Sequence, residues 1–395
     1  MINEKQKRIA IVTSTRAEYG LLLPLLNELR SHESDGFAVD LIVTGTHLSD
    51  EYGRTIDEIK NGYVRIDRVI EIPVKSETDA DISNNQAETL IKFTSCFEEE
   101  QYDAVIILGD RYEMLAIAVS ASNTRTPIIH LCGGDTTQGA MDEWIRHSIT
   151  KMSAYHFVTN ETSRKRVIQL GESPDTVFNF GSTGVDNILH APLLEKNEAL
   201  ASVGLDACKY VLCTYHPVTI KDDDVDGMIE QFISAISRFD EYQFIITKSN
   251  ADKGGARINA LLDKAAEEHE NIHVFTSLGL TRYLSLMKYC EAVLGNSSSG
   301  ILEAPAFHIP TVNIGDRQKG RLQADTIINC GDSADDISSA LNTALLPETK
   351  AACLAASNPY GNGTAAKRIA QKIIEILSNG DISLLKEFYD IDFTV

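Results

Sequence analysis

The chain contains neither G-x-G-x-x-G nor G-x-x-x-x-G-K-[ST], so a standard dinucleotide fingerprint and a P-loop both lack support. It has no C-x-x-C pair. Its seven cysteines (Cys96, Cys132, Cys208, Cys213, Cys290, Cys330 and Cys353) are scattered and odd in number, which argues against a disulfide framework and a zinc site. Thiols placed this way read mostly as small buried apolar groups. No apolar run approaches the roughly 18 residues of a membrane-crossing helix. The opening "MINEKQKRIAIVTSTRAEYG" has too short an apolar stretch for a secretory leader, so the cytoplasm is the expected location. Positive charge is scarce: 36 Lys and Arg stand against 57 Asp and Glu, a net −21. That balance disfavours nonspecific binding to nucleic acid or to an anionic membrane. A negatively charged substrate would therefore need a local cationic pocket. There is no short internal repeat and no low-complexity tract.

What is present is an α/β pattern. At 395 residues and 43% hydrophobic composition, the chain can bury a large core and divide into two domains. Short Val- and Ile-rich runs alternate with helix-like segments, the mark of mostly parallel sheets. In the first half these runs are "RIAIVT", "VDLIVT", "AVIIL", "PIIHL" and "YHFVT". In the second half they are "YVLCT", "QFIIT", "IHVF", "AVL" and "TVNI". "RTIDEIKNG" and "SRKRVIQLG" read as helices stopped by a glycine cap, and "TRYLSLMKYC" as a helix between strands. "NILHAPLLEKNEALASVGLDACK" lacks strand character and puts the domain boundary near residues 186 to 205. The expected domains are 1–186, joined by a returning amphipathic helix within 364–395, and 187–363. Two such Rossmann-like domains are expected to face a cleft at the carboxyl ends of their strands.

Polar residues gather at those strand ends. "VTSTRAEYG" puts Arg16 after the first strand, a natural cation for an anionic ligand. "TGTHLS" places His47 after the second, where a lone histidine reads as structural. "LGDRYEM" sets Asp110 and Arg111 at a strand end and helix start, where Asp110 could also be a plain N-cap. "IIHLCGGDTTQGAMDEWIRHS" then concentrates Asp135, Asp142, Glu143, Arg146 and His147 behind His130. Neighbouring buried carboxylates acquire separated pKa values, giving one acid and one base. The alternative is a solvated acidic loop. "CTYHPVT" and "ITKSNAD" supply His216, Lys248 and Asn250 from the second half. In "AVLGNSSSGILEAP" a strand runs into Gly295, Asn296, Ser297, Ser298, Ser299 and Gly300, with a helix expected from about Ile301. Free N–H groups and hydroxyls at a helix start suit a diphosphate, and Glu303, one turn in, could accept from ribose hydroxyls. A plain serine cap is the bland alternative. "DDDVDGMIEQFI" imitates a calcium loop through Asp222, Asp224, Asp226 and Gly227, but Ile233 stands where the bidentate Glu should be. It reads as an acidic helix start.

Taken together, "TSTRAEYGLL", "VTGTHLS", "LGDRYE", "GGDTTQGAMDEWIRHSITKMS", "HPVT", "SNAD", "GNSSSGILEAP", "IGDRQKGR" and the terminal "KEFYDI" closely resemble the hydrolysing UDP-N-acetylglucosamine 2-epimerases. The likeness runs nearly end to end. It implies a GT-B-type architecture, no metal or nicotinamide requirement, a UDP-sugar substrate, and a homodimer or homotetramer. It places Arg16, Arg111, His216, Asn250, Ser297, Ser298, Glu303 and Arg317 around UDP, the serines on the diphosphate and Glu303 on the ribose. Asp110 and Asp142 match acidic residues required for turnover; they are the acid/base candidates, and the neighbouring Glu143, His147 and Asp135 read as supporting groups. One position departs: relatives often carry Glu or His where Cys132 stands. A thiol cannot replace a carboxylate as base without a lowered pKa, so either Asp135 takes that duty or this branch does without it.

The implied reaction makes N-acetylmannosamine and UDP for sialic acid synthesis. The same motifs mark epimerases of UDP-2,4-diacetamido-2,4,6-trideoxyglucose in the legionaminic acid branch, although "KEFYDI" looks nearer the sialic acid type. A glycosyltransferase on the same fold and a nonenzymatic nucleotide-sugar sensor are the rival classes.

Overall fold

Residues 9–12, 104–107 and 210–213 are apolar without a break, and such runs suit strands covered on both faces. In the computed structural model, which describes residues 6–50, 54–75, 78–136, 141–216, 225–249 and 255–392, each forms a central strand of a parallel sheet. The chain divides into two compact units, Met1–Asn187 with Tyr360–Val395, and Ile188–Pro359. Among the described residues no helix is long and apolar enough to cross a membrane.

The first unit contains β1 (Lys7–Thr13), β2 (Phe37–Thr44), β3 (Arg68–Ile70), β4 (Ala104–Leu108), β5 (Ile128–Leu131), β6 (Tyr155–Val158) and β7 (Val177–Asn179), ordered β3-β2-β1-β4-β5-β6-β7. Every pairing is parallel. Successive side chains of β1 enter opposite cores. Ile9 and Ile11 join the helix Arg16–Arg30, whereas Ala10 and Val12 join Phe93 and Phe97 of Asp79–Glu100 and Ile117 of Tyr112–Asn123. The second unit contains β8 (Tyr210–Thr214), β9 (Gln243–Thr247), β10 (Ile272–Phe275), β11 (Ala292–Gly295), β12 (Thr311–Ile314) and β13 (Ile327–Cys330), ordered β10-β9-β8-β11-β12-β13 and also parallel. In each unit the order reverses beside the first strand, between β1 and β4 and between β8 and β11. Crevices at such reversals are where open α/β sheets bind ligands.

Three strands, β3, β7 and β13, were not expected from the sequence; all three lie at sheet edges, as does β10, which was expected from "IHVF". An edge strand pairs on one side and is partly solvated, so it can be short and lack a continuous apolar run; β3 and β7 have three residues each, and Val69 in β3 is 53% exposed. Helix ends also differ. Gly62 does cap Ile56–Asn61, but the cap of Glu161–Gln169 is Leu170, one residue before Gly171. The helix expected from about Ile301 begins at Ser298, because Ser297 captures its start by accepting from the Ser299 N–H at 3.3 Å. It ends at Leu302, which leaves Glu303 at its C-cap. Asp226 falls in the first turn of Val225–Ile236, while Asp222 and Asp224 lie outside the described residues.

The helix Ala365–Ser378 belongs to the first unit. Ile369, Ala370, Ile373 and Leu377 pack in one core with Leu22, Leu25, Leu26 and Leu29. Buried Asp186 caps it, accepting from the N–H groups of Ala365 (3.1 Å) and Ala366 (2.6 Å). The following segment is held at Glu172, which meets Lys386 at 2.7 Å, Lys151 at 2.6 Å and His156 at 3.0 Å.

Candidate active site

In the first unit the site begins where β4 ends. Gly109 turns the chain with φ +81°, and its carbonyl accepts from His130 Nε2 at 2.9 Å. His130 is fully buried, and burial first of all pushes its pKa down to about 3, so the ring is neutral. Its Nδ1 accepts from the Thr150 hydroxyl at 3.2 Å. This histidine fixes the backbone just before Asp110. The helix after that strand is capped by Arg111, not Asp110, and the cap makes no side-chain bond to it.

Asp110 is instead drawn to Arg146, whose Nε donates to Asp110 Oδ2 at 2.8 Å and whose second terminal nitrogen reaches the same oxygen. Arg146 is 4% exposed. Its remaining terminal nitrogen donates to the Asp135 carbonyl at 2.7 Å and to Glu143 Oε2 at 3.2 Å. Glu143 Oε1 in turn lies 3.3 Å from His147 Nε2, and Ser163 Oγ donates to the Asp135 carboxylate. One buried guanidinium thus gathers most of the acidic stretch. Asp142, in the first turn of Met141–Met152, is exposed, but its charge acts on Asp110. Burial raises the Asp110 pKa, Arg146 opposes the rise, and Asp142 and Asp135 add to it. A carboxylate so placed holds a proton more readily than a free one.

Cys132 adopts φ +62°, and burial pushes its thiol up to about 12, which leaves no thiolate to act as base at neutral pH. His47 is also structural. It is fully buried between the hydroxyls of Thr13 (3.0 Å) and Thr55 (2.7 Å), and burial lowers its pKa to about 4. Arg111 pairs with buried Glu113 at 2.6 Å. Arg16 opens the helix Arg16–Arg30, 70% exposed and paired with Glu58 at 3.1 Å.

In the second unit the organiser is Asn296, 1% exposed at the end of β11. Its side chain accepts from the His216 N–H at 2.7 Å and donates to the His216 carbonyl at 2.8 Å. Its own carbonyl accepts from Arg317 (3.1 Å) and Gln318 (2.9 Å). His216 Nδ1 also lies 3.2 Å from Ser249 Oγ. The approach of β11 to β8 requires glycine before Asn296. Gly295 has φ +146°, and a Cβ there would fall 2.0 Å from the Thr214 carbonyl oxygen. Ser297 and Ser298 form the helix start, with Ser299 Oγ 2.5 Å from Tyr283 OH. Burial pushes Glu303 up to about 7. Lys248 is engaged by Asp263 at 2.7 Å, and Asn250 lies outside the described residues.

Sequence reasoning assigned no site role to Arg146, Asn296, Glu113 or Ser163. Arg146 could have been found: it lies three and four residues after Glu143 and Asp142, the spacing of one helix face. Asn296 and Ser163 carry no such local signal, because their partners come from distant segments.

A family model described as UDP-N-acetylglucosamine 2-epimerase matches residues 28–374. Polysialic acid biosynthesis protein P7 of Escherichia coli is 37% identical over 386 residues, covering 98% of each chain. The GDP/UDP-N,N'-diacetylbacillosamine 2-epimerase (hydrolyzing) of Campylobacter jejuni is 39% identical over 327 residues, covering 82% of this chain and 84% of that one. The crystal structure of the Neisseria meningitidis UDP-GlcNAc 2-epimerase bound to UDP-GlcNAc superposes with a TM-score of 0.77 at 18% identity, over 93% of this chain and 100% of that chain, and so shares its fold. The match over most of the chain and the identity to near-full-length relatives place it in one group: the protein belongs to the UDP-N-acetylglucosamine 2-epimerase family.

Proposed function

We propose that the protein is a hydrolysing 2-epimerase that converts UDP-N-acetylglucosamine and water to N-acetylmannosamine and UDP, supplying a sialic acid-type surface sugar. The observation that carries this reading is the acid cluster around buried Arg146 beyond the ends of β4 and β5, in a chain of this family. The C2 proton of the sugar is not next to a carbonyl, so direct deprotonation has no enolate to form. Elimination avoids the difficulty. The C1–O bond breaks, its electron pair leaves with UDP, a carboxylate takes the C2 proton, and 2-acetamidoglucal remains. Water then adds at C1 while a proton reaches C2 from the opposite face. Two faces need two proton-handling groups. Asp110 and Asp142 are assigned these roles, with Glu143, His147 and Asp135 in support.

UDP is assigned to Arg16, Arg111, His216, Asn250, Ser297, Ser298, Glu303 and Arg317, with Arg16, Arg111, His216, Ser297 and Ser298 on the diphosphate and Glu303 on the ribose. Cations and free N–H groups there would stabilise charge developing on the leaving diphosphate.

Identity to the Campylobacter enzyme favours a second reading, in which the substrate is UDP-2,4-diacetamido-2,4,6-trideoxyglucose. Incubation with each nucleotide sugar and no acceptor tests both. Free N-acetylmannosamine plus UDP from UDP-N-acetylglucosamine supports the first. Turnover of the diacetamido sugar alone selects the second, and no free 2-epimerised sugar from either defeats both.

A further inference from the structure

Where β1 ends, two carboxylates are buried against a single hydroxyl. Ser14 Oγ lies 2.9 Å from Glu18 Oε2 and 2.8 Å from Glu113 Oε1. Ser14 is fully buried, and Glu18 and Glu113 are 5% and 2% exposed. Both contacted oxygens already accept from nitrogen. Glu18 Oε2 takes the N–H groups of Ser14 (2.7 Å) and Thr15 (3.2 Å), and Glu113 Oε1 takes Arg111 Nε (2.6 Å). A serine hydroxyl has one proton and satisfies one of them. Glu18 Oε1 and Glu113 Oε2 are buried and have no partner among the described residues.

Among the described residues, the charged surroundings leave this pair short of one positive charge. Arg111 precedes the helix that carries Glu113 and is the cation in contact with it. Arg16, on the helix that carries Glu18, turns outward to Glu58. His47 presents its backbone N–H to the Ser14 carbonyl at 3.4 Å, but its buried ring is neutral. Two buried anions against one cation are unfavourable, and a proton on Glu18 removes the excess. In keeping with this, burial first and the Glu113 charge second push Glu18 up to about 7.

We propose that Glu18 holds a proton where it meets Ser14 and Glu113, and that an anionic diphosphate on Arg111 raises the proton affinity of Glu18 further, linking nucleotide binding to proton uptake. The proposal rests on the assignment of Arg111 to the diphosphate. Glu113 then acts as a positioning residue for that guanidinium, and Glu18 sets the charge of the pair. The sign follows from linkage. An anion raises the proton affinity of nearby acids, so the complex holds more proton than the free protein. UDP affinity gained from this pair is complete below about pH 7 and is lost as pH rises above it.

The test is calorimetry of UDP binding near and above pH 7 in two buffers of different ionisation enthalpy, with wild type and E18Q compared. The difference between them removes contributions common to both proteins, including the terminal phosphate of UDP and Glu303. Wild type should take up more proton per UDP than E18Q. Its affinity advantage should shrink by up to about tenfold per pH unit, the limit for one linked proton. Equal proton uptake in the two overturns the proposal. Unchanged UDP affinity in R111A overturns the Arg111 assignment instead, so the two failures are distinguishable. If E18Q does not fold, infrared spectra of the wild-type protein decide: a protonated-carboxyl band at neutral pH should strengthen when UDP is added, and no change in that band overturns the linkage.

Discussion

Asp110 meets opposed influences: burial favours its neutral form, Arg146 favours the ion, and the charges of Asp142 and Asp135 disfavour another anion beside them. A group balanced in this way suits proton transfer. D110N and D142N should each keep UDP affinity within severalfold while lowering kcat by at least about a hundredfold, the usual scale for a lost acid or base. Near-normal turnover in either would remove that residue from the mechanism. Glu303 and Ser298 should behave differently, because their assigned partner is the nucleotide. E303A and S298A should weaken UDP binding by roughly 1–3 kcal/mol per lost buried partner, and unchanged affinity by calorimetry would contradict the ribose and diphosphate assignments. C132S should retain most activity, since a thiol held near 12 has no proton-transfer duty to lose. A loss as large as that of D110N, with circular dichroism unchanged, would give Cys132 a role in the chemistry. The individual acids were readable as residues from their crowding after one strand. Arg146 as their common partner was not read, because its importance comes from burial, which residue type alone does not report.

At the scale of elements, central strands and periodic helices were legible because burial on both faces leaves continuous apolar runs. The edges β3, β7 and β13 were not, because a strand solvated on one side need not carry such a run, although the edge strand β10 kept enough of one to be read. The C-terminal segment shows the same limit from the charge side. Lys386 is unremarkable in sequence, yet with His156 and Lys151 it surrounds a glutamate that is 2% exposed. Burial alone would raise the Glu172 pKa, but hydrogen bonds from His156, Lys151 and Lys386 overrule it and hold the carboxyl at about 2. A depressed carboxylate stabilises the fold above its unfolded value of 4.5, and that stability is lost as pH falls toward about 2. Acid unfolding of E172Q, followed by circular dichroism, should lack the part of the transition that wild type shows in this window. At neutral pH, trypsin should cut E172Q faster at Lys386. Identical acid curves and cleavage rates would mean that this ionic contact does not hold the segment.

For the whole molecule, the proposed chemistry divides between two units, with proton handling in one and most nucleotide contacts in the other. The order of bond breaking can be read from products. Elimination sends the bridging oxygen away with UDP, so turnover in oxygen-18 water should leave UDP unlabelled, whereas phosphoryl hydrolysis would mark its terminal phosphate. In deuterium oxide the free sugar should carry one deuterium at C2. Label in UDP, or protium retained at C2, would sink elimination followed by hydration.

The connectivity of the units has a further consequence, for how the chain is made. Ile188–Pro359 is inserted within the first unit, whose core takes Ile369, Ile373 and Leu377 from the last helix. As the chain leaves the ribosome, the first unit cannot finish its core until Ala365–Ser378 emerges, whereas the inserted unit is already whole. Domains generally fold as units during synthesis, so the part encoded second should reach its native state first. Stop codons placed just before Ala365 should therefore spare Ile188–Pro359 and expose the leucines of Arg16–Arg30, leaving the beginning of the protein, not its middle, to the proteases.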